Sequence, residues 1–210
     1  MSPRPEIAHR RRPEILAAAS EVIRERGVQG TRIVDVADRL GSSPPALLYY
    51  FDSKSELLST ALITAEEGFY EEFEQRLERQ TNAREALVLL VDACLGDDGD
   101  NDASLWIELW SRSLREPELA RMRAQLDTRW RDTIARIVRQ GQECGEFGPA
   151  DPDDVATLLG SLLDGFSIQV TLGDDAVPVS RARRLCLELL ERELDCEFPS
   201  AYDSEEVSVG

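Results

Sequence analysis

Residues 31–58 read TRIVDVADRLGSSPPALLYYFDSKSELL, and this stretch decides the fold. Thr31 suits the cap of a short helix in which Ile33, Val36, Ala37 and Leu40 recur at helical spacing and face inward. Gly41 breaks that helix. Ser43 suits the cap of a third helix. Pro44 and Pro45 stand in its first turn, where a missing N–H costs little, and the helix is expected to end near Phe51. Ser53 or Ser55 then opens a long fourth helix to about Gln80. Upstream, Pro13 suits a first helical turn, Ile15, Leu16, Ala19, Val22 and Ile23 form an apolar stripe, and Gly27 fits a C-terminal cap. Three short helices with a glycine turn between the second and third make a helix-turn-helix. In that motif the second helix braces the third, whose N-terminal end lies in a DNA major groove. Small Ala37 permits the close crossing and Leu47 plugs the core beneath.

The rest of the chain reads as helix, giving an all-α protein of about nine helices. Expected helices cover 83–95, 104–115 (stopped by Pro117), 118–143, 153–172 and 180–194. Residues 96–102 form a polar loop. Residues 1–11 are expected to be a flexible basic arm, 12–56 the helix-turn-helix domain, 57–196 a ligand-binding and dimerisation domain, and 197–210 a disordered tail.

Net charge is −17, which at first argues against nucleic acid. Its distribution is uneven. Residues 1–60 hold nine basic and eight acidic side chains, and the remainder fifteen and thirty-three. Phosphates are therefore accepted only at the N-terminal end. No apolar run reaches the roughly 18 residues of a membrane helix, and no apolar signal segment follows the basic N-terminus, so the chain is expected to be soluble and cytoplasmic, without membrane partners. Cys94, Cys144, Cys186 and Cys196 show no metal or CxxC spacing and are expected to be reduced and mostly buried. No metal or cofactor is expected. The sole histidine is His9, which leaves no His-based triad, and no phosphate-cradling glycine loop appears, so the chain is not expected to be an enzyme. The acidic run Asp98–Asp102 lacks the glycine and the terminal glutamate of a calcium loop. The alternative to a DNA-binding protein is a helical adaptor for another protein.

The stretch from Thr31 to Leu58 resembles the DNA-binding domain of the tetracycline-repressor (TetR) family, over roughly residues 10–60. The C-terminal part is similar to the ligand domain of choline-sensing repressors of the BetI-like type, on 105–117 (LWIELWSRSLREP), Gly-Glu-Phe at 145–147 and 162–166 (LLDGF). The resemblance implies a homodimeric transcriptional regulator, commonly a repressor, that a small-molecule effector releases from a palindromic double-stranded DNA operator. The family commonly carries Lys-Gly and often Tyr in the recognition helix, where this chain has Pro44, Pro45 and Leu48.

The groove-facing surface is then Ser43, Pro44, Pro45, Ala46 and Tyr49, which reads bases by apolar contact with thymine methyls and by DNA shape. Phosphate contacts are expected from Thr31 and Arg32 at a helix start, and from Ser43, Tyr49 and Lys54. Tyr50 either touches phosphate or packs in the core with Phe51. The run His9, Arg10, Arg11, Arg12, with Arg4, either enters a minor groove or solubilises the terminus. In the body, Phe69, Phe73, Trp106, Trp110, Trp130 and Phe166 are candidate pocket aromatics, or simply core. With the acids Glu108 and Asp164 they suit a cationic or aromatic effector. Leu158, Leu162, Phe166, Leu185 and Leu189 on the last two helices are the candidate dimer face, the resemblance implying a four-helix interface.

Overall fold

The computed structural model describes the backbone of residues 5–96 and 103–198, with side chains from residue 11 onward. Nine helices and no strand occur among the described residues: α1 (Pro5–Gly30), α2 (Ile33–Arg39), α3 (Pro44–Leu47), α4 (Lys54–Leu77), α5 (Ala83–Leu95), α6 (Ser104–Ser113), α7 (Pro117–Glu143), α8 (Pro152–Thr171) and α9 (Val179–Leu194). The expected arm differs from this at its described part, because residues 5–11 are helical and α1 runs through Pro13. Pro5 at the helix start loses no internal bond, whereas Pro13 in the interior removes one and crowds the carbonyl four residues earlier. Arg4, the loop residues 97–102 and the tail 199–210 lie outside the described residues, as do the side chains of His9 and Arg10.

The chain forms two compact units. One holds residues up to 74 with 102–127; the other holds 75–101 with 128 onward. The expected boundary at 56/57 falls inside α4, which is unbroken to Leu77. The reason is the core of the first unit. Ile15, Leu16, Ala19, Val22 and Ile23 of α1 pack with Val36 and Ala37 of α2, Leu47 of α3, Leu57, Leu58 and Leu62 of α4, and also Leu105 and Leu109 of α6 and Leu119 and Leu126 of α7. Helix α6 is thus part of the packing that supports the helix-turn-helix. Pro117 does not merely stop α6, which ends at Ser113; it opens α7.

In the second unit α5, α8 and α9 pack on one another through Leu87, Leu90 and Val91, Val155, Leu159 and Leu163, and Cys186 and Leu190. Non-local polar contacts hold the ends. The Glu146 carboxylate accepts from the amides of Ala83 (3.1 Å) and Arg84 (3.2 Å), capping the start of α5. Gly141 lies so close to Phe147 that a Cβ there would overlap the ring. These two contacts give the Gly-Glu-Phe segment a structural purpose. Arg183 pairs with Asp92 at 2.6 Å.

Two expectations need correction. The tail was expected from residue 197, yet Phe198 is buried, its ring is tilted against that of Phe147 with centres 6.4 Å apart, and its amide donates to Glu191. An aromatic four residues past the helix end folds back because apolar surface is available there. Of the cysteines, all free, only Cys186 is buried; burial pushes its thiol up to about 12. Cys94 and Cys196 are half-buried, and Cys144, at the end of α7, is exposed.

Candidate nucleic-acid interface

The turn between α2 and α3 is built by Gly41, whose φ of 59° favours glycine, and by the Ser42 amide donating to the Ala37 carbonyl at 2.9 Å. Ser43 is the N-cap of α3 by position, but its side chain accepts no bond. Pro45 stands at the second helical position and has no N–H to offer, while the Ala46 amide turns to the Ser43 carbonyl at 2.9 Å. The helix ends at Leu47, earlier than the expected Phe51, because the following residues tighten into turns. Leu47 and Phe51 are buried; Tyr50 is half-buried, edge-on to Tyr49 at 5.3 Å. The outward face is Ser43, Pro45, Ala46, Leu48 and Tyr49, with Pro44 half-buried at its edge. Leu48 and Tyr49 are 46% and 56% exposed and stand side by side on this face.

Thr31 corrects an expectation. It is fully buried, and its hydroxyl donates to the Gly27 carbonyl at 2.8 Å, so it closes the end of α1 and offers nothing to a phosphate. The N-cap of α2 is Arg32. Asp35 takes over the capping role: its carboxylate accepts from the Arg32 amide at 3.0 Å and pairs with the Arg32 and Arg26 guanidiniums at 2.8 Å each. The hydrogen bond from Arg32 holds the Asp35 carboxyl well below the usual carboxylate range, against the opposing effect of burial. The Arg32 side chain is 70% exposed.

Most arginines here are committed. Arg11 pairs with Glu14, Arg39 with Glu21 and Glu25, and Arg24 lies within electrostatic reach of Glu66. Arg12, read from the sequence as part of a basic run that either enters a minor groove or solubilises the terminus, is pinned inside the unit. Its guanidinium lies 4.6 Å from the centre of the Phe51 ring, donates to the Tyr50 carbonyl at 3.4 Å and approaches Glu56 at 3.6 Å. No local pattern announces contacts 38 or more residues away. Lys54, at the first position of α4, has no hydrogen-bond or ion-pair partner among the described residues. Ser53 and Glu56 cap α4 around it: the Ser53 hydroxyl accepts from the Glu56 amide at 3.1 Å, and the Glu56 carboxylate accepts from the Asp52 amide at 2.6 Å.

Residues 15–61 match the family described as bacterial regulatory proteins, tetR family, and residues 83–195 match the one described as BetI-type transcriptional repressor, C-terminal. The chain belongs to the TetR family. As a TetR-family member it is a DNA-binding transcriptional regulator and not an enzyme. It is similar to the HTH-type transcriptional regulator BetI of Proteus mirabilis, 24% identical over 193 residues that cover 88% of this chain and 92% of that one. Among solved structures it is similar to a transcriptional regulator from Saccharomonospora viridis in complex with choline (TM-score 0.81, 32% identity, 89% of this chain and 98% of that one). It is also similar to a TetR transcription regulator from Haloarcula marismortui (TM-score 0.79, 25% identity, 87% and 97%).

The expected effector residues of this TetR-family chain fall in both units. In the first, Phe73 is buried, Phe69 exposed, and Trp106 and Trp110 half-buried with ring centres 5.8 Å apart. Among the described residues the buried Trp110 indole nitrogen has no hydrogen-bond partner, and Arg123 lies 5.9 Å from the Trp110 ring centre. Glu108 is engaged rather than free: it accepts from the Val28 amide at 3.0 Å. In the second unit Trp130, Asp164 and Phe166 are half-buried. Of the expected dimer residues, Leu158 is 46% exposed, and Leu162, Phe166, Leu185 and Leu189 are half-buried. They stand on the sides of α8 and α9 that the buried Val155, Leu159, Leu163, Cys186 and Leu190 leave free. No helix among the described residues is long and apolar enough to cross a membrane.

Proposed function

We propose that this TetR-family regulator acts in the cytoplasm as a homodimeric repressor that binds a palindromic operator and leaves it when a small cationic effector binds. The observation that carries this reading is the outward face of α3. Pro45, Ala46, Leu48 and Tyr49 offer apolar surface with few hydrogen-bond donors, next to an uncommitted Lys54. Such a face reads thymine methyls and groove shape, while Lys54 and the exposed edge of Arg32 hold phosphates. Ser43 of the same face, Tyr50 beside it, and the basic residues Arg10 and Arg11 of α1 are proposed to complete the contact.

Dimerisation is supported by the half-exposed apolar row Leu158, Leu162 and Phe166 on α8 beside Leu185 and Leu189 on α9. Two such helix pairs close a four-helix interface with two-fold symmetry. The effector class is supported by the choline found with the Saccharomonospora viridis relative and by the Trp106–Trp110 pair, whose faces attract cations. A cation on the near face of Trp110 must take the place of Arg123.

The test selects duplexes from a randomised pool with the purified protein, then titrates choline and other amines into the complex. Enrichment of a two-fold-symmetric, A·T-containing site, with release by a quaternary or primary amine, supports the reading. No enrichment at low salt, or release only by neutral or anionic compounds, contradicts it.

A further inference from the structure

Helix α6 touches the helix-turn-helix on both sides of the motif. At Gly27 the backbone leaves helical geometry (φ 66°, ψ 165°). The next amide, that of buried Val28, donates to the Glu108 carboxylate at 3.0 Å. One turn further along α6, Arg112 donates to Ser55 (3.0 Å) and Ser59 (2.8 Å) in the first turns of α4, while Glu116 holds the same guanidinium at 2.8 Å. Residues four apart share a helix face. Glu108 thus holds the chain just before α2, and Arg112 holds it just after α3.

We propose that Glu108 is a positioning residue: its carboxylate clasps the Gly27–Val28 break and, with Arg112, fixes the angle at which α2 and α3 are presented to DNA. The inference rests on the DNA-binding reading above and gives one acid of the body a task other than meeting an effector. Three observations carry it. The acceptor is a side chain from a helix 80 residues away, not a local carbonyl. A Cβ at Gly27 would lie 3.0 Å from Glu108 Oε1, so the break and the acid are fitted to each other. Leu105 and Leu109, on either side of Glu108, are buried in the same core as Leu47 of the recognition helix. A shift of α6 therefore moves the motif's entry point and exit point together, which is how a packed core passes on a small displacement.

Reach separates this role from that of a ligand-binding acid. Glu108→Gln keeps the length and the accepting oxygen but removes the charge. Glu108→Asp keeps the charge but retracts the carboxylate by one methylene. Operator affinity without effector is measured for both on the duplex that the wild-type protein selects, well below the unfolding temperature, with amide exchange at Val28 followed by NMR. The clasp predicts that Glu108→Gln binds within about threefold of wild type, and that Glu108→Asp binds roughly tenfold more weakly with faster Val28 exchange. The reverse order, or equal affinity in all three proteins, overturns the clasp while leaving the DNA-binding reading intact. A wild-type protein that selects no duplex overturns both. Gly27→Ala, which pushes against the same oxygen, is expected to behave as Glu108→Asp does; wild-type affinity for it overturns the clasp as well.

Discussion

Replacing Lys54 by alanine should change the salt dependence of operator binding more than it changes the protein. Lys54 occupies the first position of α4, where the helix dipole disfavours a positive charge by about 0.3–1 kcal/mol. Nothing among the described residues compensates by pairing with it. A residue that costs stability where it stands is poorly explained by folding and well explained by a phosphate. Each neutralised phosphate contributes about 0.9 to the slope of log K against log salt, so two copies in a dimer contribute about 1.8. Between 50 and 200 mM salt the wild-type protein should then lose roughly 12-fold more affinity than the variant does. The thermal midpoint should stay level or rise by about 1–3 °C as the dipole conflict is removed. Fluorescence anisotropy on the selected duplex across a salt series gives the slopes, and circular dichroism gives the melt. Parallel slopes for the two proteins, or a drop in the melt large enough to explain weaker binding, would refute the argument.

Other perturbations address the rest of the molecule. Glu146→Ala strips the acceptor from two amides at the start of α5, and with part of the loss recovered by water it should cost about 2 kcal/mol, lowering the melting temperature by roughly 4–8 °C; an unchanged melt removes the cap from the account. Glu66, half-buried on α4, has its carboxyl raised to about 7 by burial, against the opposing charge of Arg24. A carboxyl that binds its proton more tightly folded than unfolded lends stability at low pH and loses it as pH climbs from about 4.5 to 7, since the native state then holds the extra proton. Glu66→Gln should accordingly flatten the pH dependence of the melt and be relatively more stable than wild type at pH 8 than at pH 5; identical pH profiles count against it. Leu162→Asp should place a charge in the proposed dimer face and weaken self-association by roughly 100-fold or more, seen as a monomer by sedimentation at micromolar concentration. A variant that remains dimeric moves the interface elsewhere.

The helical order was legible because its signals are local. The glycines at 27, 41 and 145 stand at left-handed turns, and the apolar stripe from Ile15 to Ile23 is buried as its spacing implies. Helix ends were less so. Tyr49 and Tyr50 continue α3 as turns, which period and propensity do not separate from another helical turn, and Phe198 docks only because Phe147 is nearby in space. The exposure of Ser43, Pro45, Ala46 and Tyr49 was legible in the sequence, and the contacts underneath were not. Thr31 has the composition of a cap but is consumed by Gly27, Arg12 belongs to Tyr50 and Phe51, and Glu108 belongs to Val28. The Arg12 and Glu108 contacts span 38 and 80 residues and exist only through tertiary packing, whereas Thr31 bonds four residues back, where its role as a helix-end closer competes with its role as a cap for the next helix.

The pair of recognition helices is tested most directly by a hydroxyl-radical footprint on the selected duplex. Two protected stretches should appear on one face of the DNA, related by two-fold symmetry and centred about 34–36 Å apart or a whole multiple of that. A single protected stretch, or protection whose spacing bears no relation to the helical repeat, would contradict it.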